Sequence, residues 1–255
     1  MKKFISNRIV CYTLGFLFFL LFWEILSLVI GEQTLVFPGP IETIQESVRI
    51  LSKKYIYQQI GSSFVRMLIG YGVAFLLAFI FGILAGNFPS FQKMMVPFIS
   101  TLRSIPTASL VFLFLVIAGA RNAPILMVTL IAFPILYSSF VGGIENISPE
   151  INDALKIDGS RWWKKVWHVQ IPLSLPQVFI GLSSSFGLSF KIEIMAEILT
   201  GDTKSGLGSA IFAAQQNNPT NMVPIFAYSL IAILFLMLIT LLCRGGKYWA
   251  KKVEK

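Results

Sequence analysis

The stretch EINDALKIDGSRWWKKVWHVQIPLSLP, residues 150–176, is the longest strongly polar interruption in a very apolar chain of 255 residues. Its first half is predicted to form a short helix, because Ser148 is a common N-cap residue and Pro149 suits the first helical position. The residues that follow at helical spacing are Ile151, Ala154, Leu155 and Asp158. We expect this polar unit to be the place where the protein contacts a partner.

The second half of the stretch is predicted to form another helix. Gly159 ends the first helix, and Ser160 can cap a second one that runs from Arg161 to about Gln170. Pro172 is expected to stop it, since proline lacks a backbone N–H and its ring clashes with the preceding turn. Two short helices that meet at a Gly-Ser elbow are therefore predicted.

The composition of the chain points to a lipid bilayer. Hydrophobic residues make up 55% of the sequence and charged residues only 13%, with a mean hydropathy of +0.75. That is too little polar side chain to cover a soluble globule. The net charge of +9 would suggest nucleic acid in a soluble protein, but the basic residues lie mainly in short tails and loops beside apolar segments. We therefore expect a membrane protein that binds no nucleic acid.

Six apolar segments are long enough to cross a bilayer core, which takes about 20 helical residues. They cover residues 9–30, 62–87, 94–118, 123–142, 177–199 and 222–243. An amphipathic helix on the external membrane surface is predicted between the first two segments. The expected organisation is residues 1–61 as an N-terminal span with this helix, residues 62–247 as a core of five spans with a cytoplasmic loop at 145–176, and residues 248–255 as a basic tail.

The distribution of Lys and Arg predicts the orientation. With a cytoplasmic N-terminus, thirteen of these residues lie on the cytoplasmic side and five on the other. The five are Arg49, Lys53, Lys54, Arg121 and Lys204. By the positive-inside rule, both termini and the polar loop are expected in the cytoplasm.

Charged residues inside the predicted spans are costly, so they are expected to pair or to line a pathway. Arg66 and Glu197 fall toward the outer ends of their spans, which favours a structural ion pair. The candidates for a translocation pathway are Arg103, Ser185, Lys191 and Glu193. Structural pairing of Lys191 or Glu193 stays open as an alternative, and small residues such as Ser185 can also simply allow close packing of helices.

The polar stretch resembles the cytoplasmic loop of bacterial ABC importer permeases, in which E-A-A, three residues, G, nine residues and I-x-L-P follow one another. The matching residues are Asp153-Ala154-Leu155, Gly159 and Val169-Gln170-Ile171-Pro172. Asp153 replaces Glu, Leu155 replaces the second Ala, and Val169 and Ile171 replace Ile and Leu. Flanking pieces resemble the nitrate, sulfonate, taurine and thiamine-precursor branch. They are Ser62–Arg66 with Gly70, Leu102–Pro106, Gly181-Leu182, Ala196-Glu197 and Gly206-Leu207-Gly208.

The resemblance implies a type I permease fold with six transmembrane helices in a bacterial inner membrane. It implies two permease copies, or this chain with a homologue, two ABC ATPase subunits inside and a solute-binding protein outside. ATP and Mg²⁺ would bind to the ATPases, and this chain would hold no cofactor or metal. The residues expected to couple to the ATPase are Asp153, Ala154, Leu155, Asp158, Gly159, Arg161, Trp162 and Pro172. The tryptophans can alternatively anchor the loop at the lipid head groups.

Other classes of protein remain open at this point. An ion-coupled secondary transporter could use Arg103, Lys191 and Glu193 as a relay, although the internal repeats often found in such folds are not evident. An integral-membrane enzyme is less favoured, because the sequence shows no ligand-spaced cluster of His or acidic residues. No Walker A motif is present either, so this chain is not expected to be the enzyme that hydrolyses ATP.

Overall fold

A computed structural model describes residues 8–30, 37–157, 161–201 and 204–253, and no strand occurs within these ranges. The helices are α1 (Arg8–Ile30), α2 (Pro40–Leu51), α3 (Tyr55–Asn87), α4 (Pro89–Ser104), α5 (Thr107–Glu145), α6 (Pro149–Ile157), α7 (Trp162–Lys165), a π-helical turn (Val166–Gln170), α8 (Ile171–Thr200), α9 (Leu207–Asn217) and α10 (Val223–Val253). The predicted all-helical fold is confirmed.

Five helical segments in the described residues are long and apolar enough to cross a bilayer. They are Val10–Ile30, Tyr55–Asn87, Thr107–Glu145, Trp162–Thr200 and Val223–Leu241. Helix α5 has 39 residues and would be about 58 Å long if straight, nearly twice the hydrocarbon thickness. Gly119 interrupts it with a φ of 77° and a ψ of 166°, which divides the helix into two pieces.

The predicted third span, residues 94–118, is therefore not one helix. Its first half lies in α4 and its second half in the beginning of α5, with a break at Ile105 and Pro106. Ile105 has an extended backbone, with φ −70° and ψ 130°, because the ring of a following proline disfavours the helical conformation. Five of the six predicted apolar segments each fall mainly within one candidate span, whereas the third is divided between α4 and the first part of α5.

Pro172 does not stop the helix before it, and this prediction is wrong. The chain is helical from Trp162 to Thr200, with the π-helical turn in its first part. In this turn the Ile171 N–H donates to the carbonyl of Val166, five residues back. The wider turn loosens the backbone just where the Pro172 ring would otherwise clash with the preceding carbonyl. The C-terminal half of the polar stretch is thus the first part of a spanning helix.

The chain divides into two compact units, and the first comprises Met1–Ile60 and Ser209–Lys255. Within it, α2 packs against α10 through the Ser47 hydroxyl, which donates to the Ala227 carbonyl at 3.3 Å. The Tyr55 and Tyr228 hydroxyls are hydrogen-bonded at 2.7 Å. The predicted amphipathic helix is α2, and it leaves Ile41, Ile44 and Val48 exposed while burying Thr43, Ser47 and Ile50. In this division, residues 209–247 group with the first sixty residues, and their predicted place in the five-span core stays a prediction.

The second unit, Gly61–Gly208, contains α4, α5, α8 and most of α3. Its helices approach closely at glycines, as small residues allow in membrane proteins. A Cβ atom at Gly70 would lie 2.5 Å from the Ile125 carbonyl oxygen, and one at Gly82 would lie 2.5 Å from Cβ of Phe140. A Cβ atom at Gly143 would lie 2.7 Å from Cβ of Ser174. Backbone therefore packs directly against neighbouring helices at several levels of this unit.

This packing predicts that Gly70→Ala destabilises the protein. The added methyl group meets a rigid backbone carbonyl, and overpacking of this kind costs about 1–3 kcal/mol. Gly72→Ala on the same helix is the matched control, because a Cβ atom there meets no atom within 4 Å. Thermal unfolding of the purified protein in detergent should show a lower melting temperature for Gly70→Ala alone. Equal melting temperatures for the two variants would contradict the close approach.

Candidate functional site

Helix α6 is the most exposed described part of the polar stretch. All its side chains whose exposure the structure describes are exposed, and Ile157 reaches 87%. They are Pro149, Glu150, Ile151, Asp153, Ala154 and Ile157. The pKa of the Glu150 carboxyl is lowered because its own backbone N–H and the Ser148 side chain hydrogen-bond to it. An apolar side chain as exposed as Ile157, on a helix whose described side chains are all exposed, is typical of a surface that another molecule covers.

The tryptophans beside this helix pack on the protein and also remain accessible. The Trp162 ring lies 5.9 Å from Phe88, and the Trp167 ring lies 6.1 Å from Phe79. Trp163 contacts both of the other tryptophans and is still 59% exposed. The three rings thus form an aromatic surface that is supported from behind by the end of α3.

The structure places the predicted coupling residues on three separate helices. Asp153, Ala154 and Leu155 lie on α6, Arg161 and Trp162 lie at the start of α7, and Pro172 lies on α8. Asp158 and Gly159 lie outside the described residues.

A buried charge cluster joins α3 to α8 within the second unit. Nε of Arg66 donates to Oε1 of Glu193 at 3.1 Å, and its Nη2 donates to Oε1 of Glu197. The same guanidinium donates to the carbonyl of Ser205 at 2.7 Å and to its hydroxyl at 3.2 Å. Both carboxylates are almost completely buried. One arginine therefore bridges two glutamates and also ties the segment before α9 to them.

Glu197 accepts more hydrogen bonds than Glu193 does. The Ser63 hydroxyl lies 2.8 and 2.9 Å from its two oxygens, and the Gly208 N–H donates to Oε2 at 2.7 Å. The Ser63 oxygen in turn accepts from the Leu207 N–H at 2.7 Å. Glu193, in contrast, accepts only from Arg66, and the described residues donate nothing to its Oε2. The cluster is therefore centred on Glu197.

The Gly206-Leu207-Gly208 run is what brings backbone N–H groups to this carboxylate. Gly206 has a φ of +129°, which side chains disfavour, and a Cβ atom there would overlap the Arg66 guanidinium. A Cβ atom at Gly208 would lie 2.7 Å from Cβ of Glu197. The resemblance included these glycines and Ser63, but their part in the cluster was not predicted, because only the fold brings them to Glu197.

The four predicted pathway residues fall into two groups. Ser185 and Glu193 are fully buried between helices, and the Ser185 hydroxyl is bonded to the Tyr71 hydroxyl at 2.9 Å. Arg103 and Lys191 are exposed on the surface of this chain. Arg103 donates to the Ser138 hydroxyl at 2.7 Å and to the Pro134 carbonyl at 3.0 Å. Neither of these two cations forms an ion pair with an acidic side chain in the described part of the chain.

A cavity of about 610 Å³ lies between α3, α4 and α5. Its lining residues are Leu77, Phe81, Met94, Met95, Phe98, Leu102, Phe114, Leu126, Thr129, Leu130 and Phe133. Thr129 is the one polar side chain among them. Its hydroxyl lies 2.9 Å from the Ile125 carbonyl oxygen and 3.0 Å from that of Gly70, so its proton is already donated to one of these carbonyls. This cavity therefore offers no charged group to a polar solute.

The charge cluster predicts that the two glutamates differ in importance. Glu197→Gln replaces an accepting carboxylate oxygen by an amide N–H₂ group that faces other hydrogen-bond donors. We expect the free energy of unfolding to fall by about 3 kcal/mol or more, as when a buried ion pair is broken. Glu193→Gln can keep an accepting oxygen toward Arg66 and place its amide nitrogen where no donor points. We therefore expect the free energy of unfolding to fall by only about 1 kcal/mol. Thermal unfolding in detergent measures both, and equal losses would contradict the asymmetry.

The architecture resembles that of a solved transporter chain. A chain of the MetNI methionine ABC transporter, in an inward-facing conformation, superposes with a TM-score of 0.66 at 16% sequence identity. The match covers 78% of this chain and 96% of that chain. The predicted type I importer permease fold is confirmed by this likeness.

Curated relatives are named as permeases, and the matched regions cover 72–76% of their lengths. The putative aliphatic sulfonates transport permease protein SsuC of Bacillus subtilis is 23% identical over 202 residues, which cover 79% of this chain and 72% of the relative. The nitrate import permease protein NrtB of Leptolyngbya laminosa is 27% identical over 220 residues, covering 80% and 74%. The bicarbonate transport system permease protein CmpB of Synechococcus elongatus is 28% identical over 219 residues, covering 80% and 76%.

Residues 78–251, more than half of the chain, match the model of one protein family. That family is described as the binding-protein-dependent transport system inner membrane component. Its extent includes the polar stretch, Glu193, Glu197 and the glycines that contact Glu197. The chain therefore belongs to this family and is a multi-pass permease subunit of an ABC importer.

Proposed function

We propose that this permease receives a small solute from an external binding protein and couples its passage to separate ATPase subunits through residues 150–172. The observation that carries the proposal is the exposure of helix α6, with Ile157 at 87%. The described apolar side chains of α6, which are Ile151, Ala154 and Ile157, do not turn toward their own protein. A groove on the ATPase subunit would cover them.

The composition around α6 suits such an interface. Ile151, Ala154 and Ile157 supply apolar contact area, and the half-exposed Trp162 and Trp163 lie close by in sequence. Aromatic side chains of this kind often provide much of the energy of a protein interface. Because the rings also contact Phe88 and Phe79 of the same chain, docking at this surface would act on the end of α3 directly.

The orientation follows from the Lys and Arg count. Both termini and the 150–172 segment would face the cytoplasm, where ATP and Mg²⁺ are held by the partner ATPases. The binding protein would dock outside, near residues 201–221. Two permease copies, or this chain with a homologue, would enclose the path. ATP-driven closure of the ATPase dimer would then move the α6 segment and open the path outward, as in alternating access.

Arg66, Glu193 and Glu197 serve as a structural brace in this scheme. Both carboxylates are buried, Arg66 bonds to each of them, and the arginine also holds the segment before α9 against α8. An ion-coupled secondary transporter would need Glu193 to reach a water-filled path, and its complete burial against Arg66 gives that alternative no support.

Arg103 and Lys191 remain as the pathway candidates, and Ser185 becomes a packing residue. Both glutamates of α8 bond to Arg66, and the two pathway candidates that are exposed, Arg103 and Lys191, are both cations. They favour a solute that carries negative charge or acceptor oxygens. Sulfonate, nitrate and bicarbonate, named for the relatives, share this chemistry.

The docking surface predicts that Ile157→Glu prevents assembly with the ATPase. The added charge would be buried without a partner in the apolar interface, and hot-spot changes of this kind cost about 2 kcal/mol or more. Copurification of the ATPase with the tagged permease measures the effect. Gln216→Glu, an exposed position outside the loop, adds the same charge as a control. Full assembly of Ile157→Glu would contradict the proposal.

A bulky residue at Gly159 is expected to abolish transport-coupled ATP hydrolysis while leaving membrane insertion intact. The glycine joins the two parts of the proposed coupling segment, where a large side chain would hinder docking. ATP hydrolysis by the reconstituted complex is the measurement, and membrane fractionation is the control. Retained coupling would count against the assigned role of this elbow.

The pathway assignment predicts that Lys191→Gln lowers anion uptake. A charge-assisted hydrogen bond contributes about 1.5–3 kcal/mol, so a fall of about tenfold or more is expected. Uptake of labelled nitrate, bicarbonate and an alkanesulfonate by cells carrying the complex is the measurement. Lys191→Arg should retain most uptake, and Lys93→Gln, an exposed position between α3 and α5, should leave it unchanged. Transport of uncharged or cationic solutes alone would contradict an anionic solute.

A further inference from the structure

The segment after the proposed elbow docks onto one stripe of helix α3. Trp167 contacts Phe79, Val166 packs on Ile83, and Gln170 bonds to Asn87. Phe79, Ile83 and Asn87 are spaced by four residues, so they lie on one face of α3 over its last turns. The coupling segment and the end of α3 are therefore in continuous side-chain contact.

Most of this contact is apolar. Val166 is 1% exposed and belongs to a small core with Ile83 and Ile144. Apolar contacts of this kind hold two helices together but are not directional, so they tolerate a small slide of one helix along the other. A directional contact must therefore set the register between the two elements if a movement of one is to displace the other by the same amount.

One pair of side chains supplies a directional contact. The Asn87 amide nitrogen donates to Oε1 of Gln170 at 2.9 Å, and the Gln170 amide nitrogen donates to Oδ1 of Asn87 at 2.9 Å. Gln170 is only 7% exposed, so its amide has little access to water. Asn87 also donates to the carbonyl of Ile83 at 2.9 Å, which fixes its orientation at the end of α3. Separating the two amides would leave buried polar groups unsatisfied, at a cost of free energy.

The pair lies where the backbone of the coupling segment changes its helical winding. Gln170 is the last residue of the π-helical turn, and α8 starts at the next residue. Insertions of this type are frequent at functional sites. A loosened turn would deform and absorb a movement instead of transmitting it. Asn87 of the neighbouring helix hydrogen-bonds to the segment at this turn.

We propose that Asn87 and Gln170 form an amide clasp that makes α3 move together with the coupling segment. The clasp rests on the proposed coupling to an ATPase and deepens it, because it assigns the path by which motion reaches α3. Asn87 and Gln170 are positioning residues in this role. They keep the loop and the helix in one register through the transport cycle.

The test is a distance measurement in the full complex with its ATPase. Spin labels are placed at Leu76 on α3 and Leu173 on α8, both exposed positions, with Cys11 and Cys243 replaced by Ser. The label-to-label distance is compared without nucleotide and with ATP bound to a hydrolysis-deficient ATPase. In the otherwise native chain the distance should be the same in both states, because the clasp holds the two elements as one body.

Asn87→Leu and Gln170→Leu should each allow the distance to change by about 2 Å or more on ATP binding, the scale of helix shifts in switching proteins. Each should also lower the melting temperature, since one amide is left unsatisfied. The double variant Asn87→Leu/Gln170→Leu removes both amides, so its melting temperature should recover while the ATP-dependent shift persists. A pair that only stabilised the fold would not show an ATP-dependent shift in a variant whose melting temperature has recovered.

Gln92→Leu is the matched control, because Gln92 bonds to Glu145 at 2.6 Å between α4 and α5 and does not touch the coupling segment. It should keep the native, nucleotide-independent distance. A distance that changes with ATP in the native chain, or stays fixed in all clasp variants, would overturn the clasp. So would a double variant that regains the fixed distance. A native chain that binds no ATPase would instead overturn the proposed function and the clasp with it.

Discussion

The arrangement of Arg66 between Glu193 and Glu197 is the constraint on which the second unit depends. Buried carboxylates within apolar helices require a partner, and this requirement orients α3 and α8 around the one guanidinium that bonds to both of them. The same requirement recruits Ser63 and the N–H groups of Leu207 and Gly208. Glycines at 206 and 208 are needed so that this backbone can reach the carboxylate.

This pairing also decides what the remaining charges can do. Because Glu193 is paired with Arg66, its negative charge does not balance the positive charges of the exposed Arg103 and Lys191. The two pathway candidates that stay exposed are therefore both cations, which is the basis of the proposed anionic solute. The charges that follow one another along a helix do not show which charges lie together in the fold, because neighbouring residues of a helix point to different surroundings.

At the other end of the same helices the constraint is packing. Gly82 and Gly143 let α5 lie against α3 and α8, and Val166 fills the space beside Ile83 and Ile144. The polar stretch thus has an exposed part, α6, and a docked part that begins at Trp162. An exposed helix followed by one anchored to two spanning helices is suited to receive a displacement and to pass it on.

The sequence by itself determined the class of fold, the apolar segments, the helix at residues 149–157 and the likeness to importer permeases. These depend on composition, helical periodicity and motif spacing, which are local. It also indicated that Arg66 and Glu197 would pair. The tertiary structure alone decided that Glu193 shares this arginine, that Ser185 is buried and that the helix continues through Pro172. The Asn87–Gln170 pair also belongs to the tertiary structure, since eighty-three residues separate its members. The physical reason is that burial and partner choice depend on which helices meet, and a π-helical turn can absorb a proline that a regular helix cannot.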